Sequence, residues 1–220
     1  SRYIKSKNKK KIDFIQRKSF ELCLFLSLPA SMALIVGADE ITSALFGYGA
    51  FDSSSVLNSS KALYFFAFGL PAFAVIKVFS TFLFARGDTK TPFYYSLLSV
   101  LINISISLIF FSELGFIIIP IATTISSWIN ALLLFIKLSL NNHFQIKNIL
   151  NGPNLKIILV SAISIYIFSV LTNLFEKYLV YGSDLKLFTI IAIVGATILI
   201  YILISLLTKT FKYSDIQLKY

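Results

Sequence analysis

Six stretches of this chain carry almost no charge: residues 22–38, 62–85 (interrupted only by Lys77), 93–112, 114–136, 157–175 and 187–208. Crossing a hydrocarbon core of ~30 Å takes ~20 helical residues. All six meet or approach that length, and the first can extend back through Phe20 and Glu21. Within lipid, backbone N–H and C=O groups have no water partner, so a spanning segment must be a helix or part of a closed barrel. Barrel strands alternate apolar and polar residues. Residues 190–207, IIAIVGATILIYILISLL, are continuously apolar instead. A cleaved leader would be single, short and N-terminal. The pattern predicts an all-α, polytopic membrane helix bundle with six transmembrane helices. Only 14% of residues are charged, against about 25% in soluble domains.

The net charge of +10 is unevenly distributed. Of the 20 Lys and Arg, eight precede residue 22, two lie in 86–92, three in 137–156 and three from 209 onward. The alternate loops hold only Lys61, Lys177 and Lys186, with Asp39, Glu40, Asp52, Glu113, Glu176 and Asp184. Basic loops stay cytoplasmic, so both ends of the chain are expected there. The expected division is a basic interfacial cytoplasmic segment (1–19), four spans (20–140), a cytoplasmic loop (141–156), two further spans (157–208) and a cytoplasmic tail (209–220). Topology and attraction to anionic membrane lipids account for the basic N-terminus. No aromatic platform accompanies it, so no nucleic acid is expected as a partner. Ile12, Ile15 and Phe20 would let it lie along the interface as an amphipathic helix. With one cysteine, Cys23, and one histidine, His143, neither an internal disulfide nor a metal centre is expected. No catalytic residue and no cofactor are expected either: His143 and Glu113 stand alone, and acid–base chemistry needs positioned partners. The sequence begins at Ser1 and is expected to be part of a longer chain.

Two spans carry a central proline in similar wording, LSLPASMAL around Pro29 and FGLPAFAVIKV around Pro71. Each should bend its helix. Such bends either aid packing or break a helix beside a cavity, as in transporters. Lys77 lies eight residues before Ala85, ~12 Å along a helix, and only part of that distance can be covered by snorkelling. Facing lipid it would cost at least ~2.5 kcal/mol. Ser80 and Thr81, three and four residues on, share its face. That face is expected to meet protein or a wet cavity, where Lys77 can serve an anionic group or remain a carbonyl-bonded structural lysine. Asn103 and Asn130 are expected to hydrogen-bond between helices. Trp128 marks an interface or packed core, and Pro120 sits in the early turns of its span.

The turn ARGDTKTP, residues 85–92, stops one helix and starts the next. Gly87 suits the left-handed position after a helix, and Arg86 complements the helix dipole. Thr91 is expected to cap the following helix, with Pro92 in its first turn. The turn has neither phosphate-loop glycine spacing nor an acid–base pair.

The longer run GLPAFAVIKVFSTFLFARGDTKTP resembles the MurJ/MviN family of lipid II flippases, as does LSLPASMALIVGADEITSALFGYGAF upstream. Asn103 and SSWINALLL extend the likeness, which is strongest over 20–140. The resemblance implies the exporter superfamily's V-shaped fold of two six-helix lobes followed by two extra helices. This chain would be the last six of fourteen spans: part of the second lobe plus the extra pair, which helps line a groove for the lipid tail. The N-terminal part of the same protein, holding the main cavity arginines, would be a partner. The implied activity is not enzymatic. It is flipping of a polyprenyl-pyrophosphate-linked peptidoglycan precursor (lipid II) across the bacterial inner membrane by alternating access. Lys77, Arg86, Ser80 and Thr81 are the candidates for substrate binding or gating, and Pro29 and Pro71 for helix kinks. A related lipid-linked oligosaccharide or drug exporter is the alternative, although a cationic-drug pump would favour acids in mid-span. A membrane transferase or a scaffold subunit is a further alternative.

Overall fold

The computed structural model describes residues 9–210. In chain order the helices are α1 (Lys9–Val36), α2 (Ala38–Phe46), α3 (Ser53–Phe84), α4 (Lys90–Leu114), α5 (Ile118–Leu140), α6 (Gly152–Leu174), the single turn α7 (Glu176–Leu179) and α8 (Lys186–Leu207). Short 3-10 turns occur at Gly115–Ile117 and Ile146–Asn148. Among the described residues there is no strand, as lipid demands of a chain with no closed barrel. The first eight residues of the basic N-terminus and the tail from Phe211 lie outside the described residues.

Five stretches are long and apolar enough to cross a membrane: Lys10–Val36, Ser53–Phe84, Lys90–Leu140, Gly152–Leu174 and Lys186–Leu207. The expected third and fourth spans both fall in Lys90–Leu140. That stretch breaks at Gly115, whose φ of 59° and ψ of −144° belong to a region open essentially to glycine alone. Beyond the break, α5 returns antiparallel to α4. The Ser99 hydroxyl donates to the Ser126 carbonyl at 2.8 Å, and Asn103 Nδ2 donates to Thr123 Oγ1 at 2.9 Å. Asn130 Nδ2 reaches Ser96 Oγ at 3.5 Å. Both asparagines thus reach the neighbouring helix, as expected. Each such bond inside a membrane contributes about 0.6 kcal/mol, up to ~1.7.

The chain divides into two units. One comprises the described residues 9–27 and 69–155, the other 28–68 and 156–210. The cuts fall within α1 and α3, beside Pro29 and Pro71. In the first unit, Phe20 of α1 stacks on Phe79 of α3 with centroids 5.7 Å apart. Phe144, from the loop after α5, lies 5.4 Å from both rings. Phe82, Leu134 and Leu138 complete this core. Because lipid is as apolar as these side chains, the gain comes from close packing, ~0.5–1.5 kcal/mol for each aromatic pair. The basic segment from Lys9 continues into the first span as one helix. Phe20 and Gln16 are buried there, and buried Glu21 pairs with Lys18 at 2.9 Å.

In the second unit, Phe168 of α6 packs with Ala44, Leu179, Ile190 and Ile193. A Cβ at Gly37 would lie 2.7 Å from the Phe168 ring, so the corner between α1 and α2 needs glycine. Pro71 has no N–H, so the helix offers no donor to the carbonyl four residues earlier, that of Ala67. The buried Ser31 hydroxyl donates to it at 2.7 Å. The hydroxyl two residues after one proline therefore satisfies a carbonyl deprived by the other.

Candidate functional site

Lys77 projects from the second half of α3 and is exposed. Its ammonium makes no hydrogen bond or ion pair with other described residues. The Thr81 hydroxyl is engaged locally, donating to the Lys77 carbonyl at 2.8 Å, and Ser80 is half-buried. An ammonium on a membrane helix has to meet water, a substrate group or further protein. Lys77, Ser80 and Thr81 thus form one polar patch after the continuously apolar run of α3 from Ala62 to Ile76.

Arg86 is placed differently. It lies within a Schellman turn, just before Gly87, in which Asp88 N donates to Leu83 O at 3.1 Å and Gly87 N to Phe84 O at 2.9 Å. Gly87 has the expected positive φ, 83°. Arg86 Nη1 donates to the Phe82 carbonyl at 2.7 Å. With the Gln16 amide turned to satisfy both its ends, Nη1 and Nη2 donate to Gln16 Oε1 at 3.0 and 3.1 Å. Gln16 Nε2 then donates to the His143 carbonyl at 2.8 Å. Arg86 thereby joins α1, the end of α3 and the loop after α5 within the first unit. Burial pulls its pKa down and the charge of Asp13 opposes that shift; a guanidinium stays protonated regardless. No contact joins Arg86 to Lys77 among the described residues. The expectation that Thr91 caps α4 is corrected: its N–H donates to Asp88 Oδ1 at 3.0 Å and its hydroxyl to Oδ2 at 2.7 Å. The helix begins at Lys90, before Thr91, and the charged carboxylate of Asp88 accepts both Thr91 donors at once. Those two bonds hold the Asp88 carboxyl below its usual range.

A second cationic feature lay hidden among the loop charges. Lys186, the first residue of α8, is 1% exposed. Its ammonium donates to the Gly47 carbonyl and lies 4.0 Å from the Tyr48 ring centre and 5.0 Å from that of Tyr181. Both rings are pinned. Tyr48 OH donates to Ala44 O at 2.9 Å, and Tyr181 OH to Phe51 O at 3.1 Å. Glycine is required at 47, since a Cβ there would approach Ser43 O to 2.6 Å and Lys186 Nζ to 3.1 Å. Burying a lone ammonium costs several kcal/mol. Two desolvated cation–π contacts, ~2 kcal/mol each, and a charged hydrogen bond of ~1.5–3 kcal/mol offset it.

Beside this box, a groove of about 660 Å³ runs between α6 and α8, lined by Leu171, Phe175, Tyr178, Leu185, Phe188 and Ile193 among others. Only Thr189 and the Tyr178 hydroxyl bring polarity to its walls. A smaller depression of about 310 Å³ holds Asp39, Glu40 and Glu176. Burial raises the Glu40 pKa, its own backbone hydrogen bond opposes the rise, and the charges of Asp39 and Glu176 add to it.

Long apolar helices, polar contacts between them and an exposed ammonium on one of them define a multi-pass α-helical membrane protein. The sequence model described as "MurJ: Lipid II flippase MurJ" matches residues 1–190. The chain belongs to the MurJ lipid II flippase family, and with it to the multi-pass proteins of the inner membrane. It is 33% identical over 200 residues to a probable lipid II flippase MurJ of Rhizobium tropici, covering 91% of this chain and 37% of that protein. Against the lipid II flippase MurJ of Thermosipho africanus it is 30% identical over 148 residues, covering 62% and 31%. A solved structure titled "Lipid II flippase MurJ, inward closed conformation" superposes with a TM-score of 0.71 at 27% identity, over 93% of this chain and 41% of that one. The chain thus spans less than half the length of the relatives it matches.

Proposed function

We propose that this chain is the C-terminal part of a transporter that moves lipid II, a polyprenyl-pyrophosphate-linked peptidoglycan precursor, from the inner to the outer leaflet by alternating access. The observation that carries the reading is the family match over residues 1–190, joined to an exposed ammonium, Lys77, on a membrane helix. A pyrophosphate and its sugars cannot enter hydrocarbon unaided, and a cation facing a wet cavity lowers that barrier. The N-terminal part of the protein supplies the other lobe. In this reading both ends of the chain are cytoplasmic, residues 20–140 belong to the second lobe, and 157–208 form the extra helix pair. The apolar groove between α6 and α8 suits an isoprenoid tail, whose surface is wholly hydrocarbon. Pro29 and Pro71 give α1 and α3 the bends that rocking between two arrangements of similar energy requires. Lys77, with Ser80 and Thr81 beside it, contacts the anionic group. Arg86 braces the cytoplasmic turn and so acts on gating, through Gln16 and the loop after α5.

The test is lipid flipping by the full-length protein in vesicles. Lys77→Ala should slow it by about 10- to 100-fold, the loss of one charged hydrogen bond in a transition state. Lys77→Arg should retain most activity. Normal flipping by Lys77→Ala and by Arg86→Ala alike would remove both charges from the mechanism.

A further inference from the structure

The groove between α6 and α8 is bounded near the start of α8 by Leu185 and Phe188. Between these two residues stands Lys186, enclosed by the Gly47 carbonyl and the rings of Tyr48 and Tyr181. We infer that Lys186 is a positioning residue that fixes this end of the groove and thereby sets how long an isoprenoid tail the protein prefers. The inference rests on the tail reading of the groove given above.

A neutral side chain of the same length would fill the space without desolvation cost. A cation bonds the turn carbonyl and is attracted by both ring faces at once, more strongly than a neutral donor would be. Lys186 therefore ties three separate segments together: the turn after α2 that carries Gly47 and Tyr48, the 180–182 loop, and the first turn of α8. Each partner is itself held. Tyr48 is anchored on Ala44 and Tyr181 on Phe51, and Gly47 N donates to Ser43 O at 3.0 Å. The box is a rigid frame around one side chain. Leu185 and Phe188 are within two residues of it on the same turn, so they cannot shift while Lys186 stays boxed. Without the ammonium, the start of α8 loses its tie to the turn after α2. The groove wall then loosens where Leu185 and Phe188 stand. A long tail that fills the groove feels the change, whereas a short tail that stops before this end does not.

The experiment uses the full-length protein in vesicles with two probes that share one headgroup, a diphosphate-linked disaccharide–peptide. One probe carries a long isoprenoid tail and the other a short one, and flipping rate and apparent affinity are measured for each. Wild type should favour the long tail. Lys186→Met should lower that preference by about 5- to 30-fold, the small surplus left once the desolvation of the ammonium has offset most of its cation–π and hydrogen-bond energy, with the short-tailed probe unaffected. Lys186→Arg should restore the preference, because a guanidinium can bond the carbonyl and stack on tyrosine. Tyr181→Leu, which removes one ring and leaves the lysine, should give a smaller loss of the same kind and serves if Lys186→Met does not fold. Equal loss for both probes would mean that the lysine only supports the fold, and an unchanged preference would mean that it does not govern the groove; either overturns the inference. Absence of any tail preference in wild type would instead overturn the tail reading of the groove, and the inference with it.

Discussion

Replacing Ser31 by alanine should expose how the two prolines depend on one another. The Ala67 carbonyl has no helical donor because residue 71 is proline, and the Ser31 hydroxyl serves it at 2.7 Å in a buried setting. An average interhelical hydrogen bond in a membrane contributes about 0.6 kcal/mol, because a freed group finds another partner. Here the natural partner, the N–H of residue 71, does not exist. The cost of Ser31→Ala should therefore approach that of an orphaned buried acceptor, about 1.5–2 kcal/mol. In a Pro71→Ala background, the new N–H can bond to Ala67, and Ser31→Ala should cost only about 0.5 kcal/mol. The coupling between the two sites is then ~1 kcal/mol, within the range for residues sharing one hydrogen-bond network. Equilibrium unfolding of the four full-length proteins in detergent, wild type, both single variants and the double, measures it. Equal costs for Ser31→Ala in the two backgrounds would refute the reasoning, since the hydroxyl would then not be substituting for the missing amide.

The cap on α4 should be carried by Asp88. Asp88→Ala should destabilise the start of that helix by about 1 kcal/mol, read as faster hydrogen exchange at the amides of Thr91, Phe93 and Tyr94, while Thr91→Val should cost less. The Asp88 carboxyl is held below its usual range, so the cap should persist at neutral pH and fail only as pH falls through that depressed value. His143 should add a second acid sensitivity: burial first, and then the charge of Arg86, lowers its pKa. The unfolded chain therefore binds the proton more readily, and stability should decline as pH falls below about 6.5. His143→Gln should flatten that part of a stability–pH curve, and an unaltered curve would exclude His143 as its source.

Hydropathy made the membrane helices legible because each span must satisfy its own backbone, which leaves a long uncharged run in the sequence. Local chemistry was legible for Gly87, whose left-handed turn needs no distant partner. It failed at Thr91, because the helix already begins at Lys90 and the carboxylate three residues before Thr91 takes up both its amide and its hydroxyl. Lys77 could be singled out because its charge interrupts an apolar run. Lys186 could not, because it stands at the edge of a loop, where a lysine ordinarily meets solvent. Its burial depends on a carbonyl 139 residues earlier in the chain, and periodicity carries no trace of such a pairing. The only local hints were the glycine and tyrosine of FGYGAF and the Tyr181-Gly182 pair, which also read as plain turns. Likewise, Ser31 and Pro71 are each ordinary alone, and their relationship exists only when α1 lies against α3.

The α4–α5 hairpin bears on how the protein reaches the membrane. Alone in lipid, α4 is apolar enough to span but would leave the Asn103 amide and the Ser99 hydroxyl without their interhelical partners. Only a 3-10 turn at Gly115 separates it from the helix that answers those groups. The bonds from Ser99 and Asn103 are thus available as soon as α5 leaves the ribosome. The two helices are best regarded as a single cargo for membrane insertion, released sideways into lipid together once their polar edges have closed on each other.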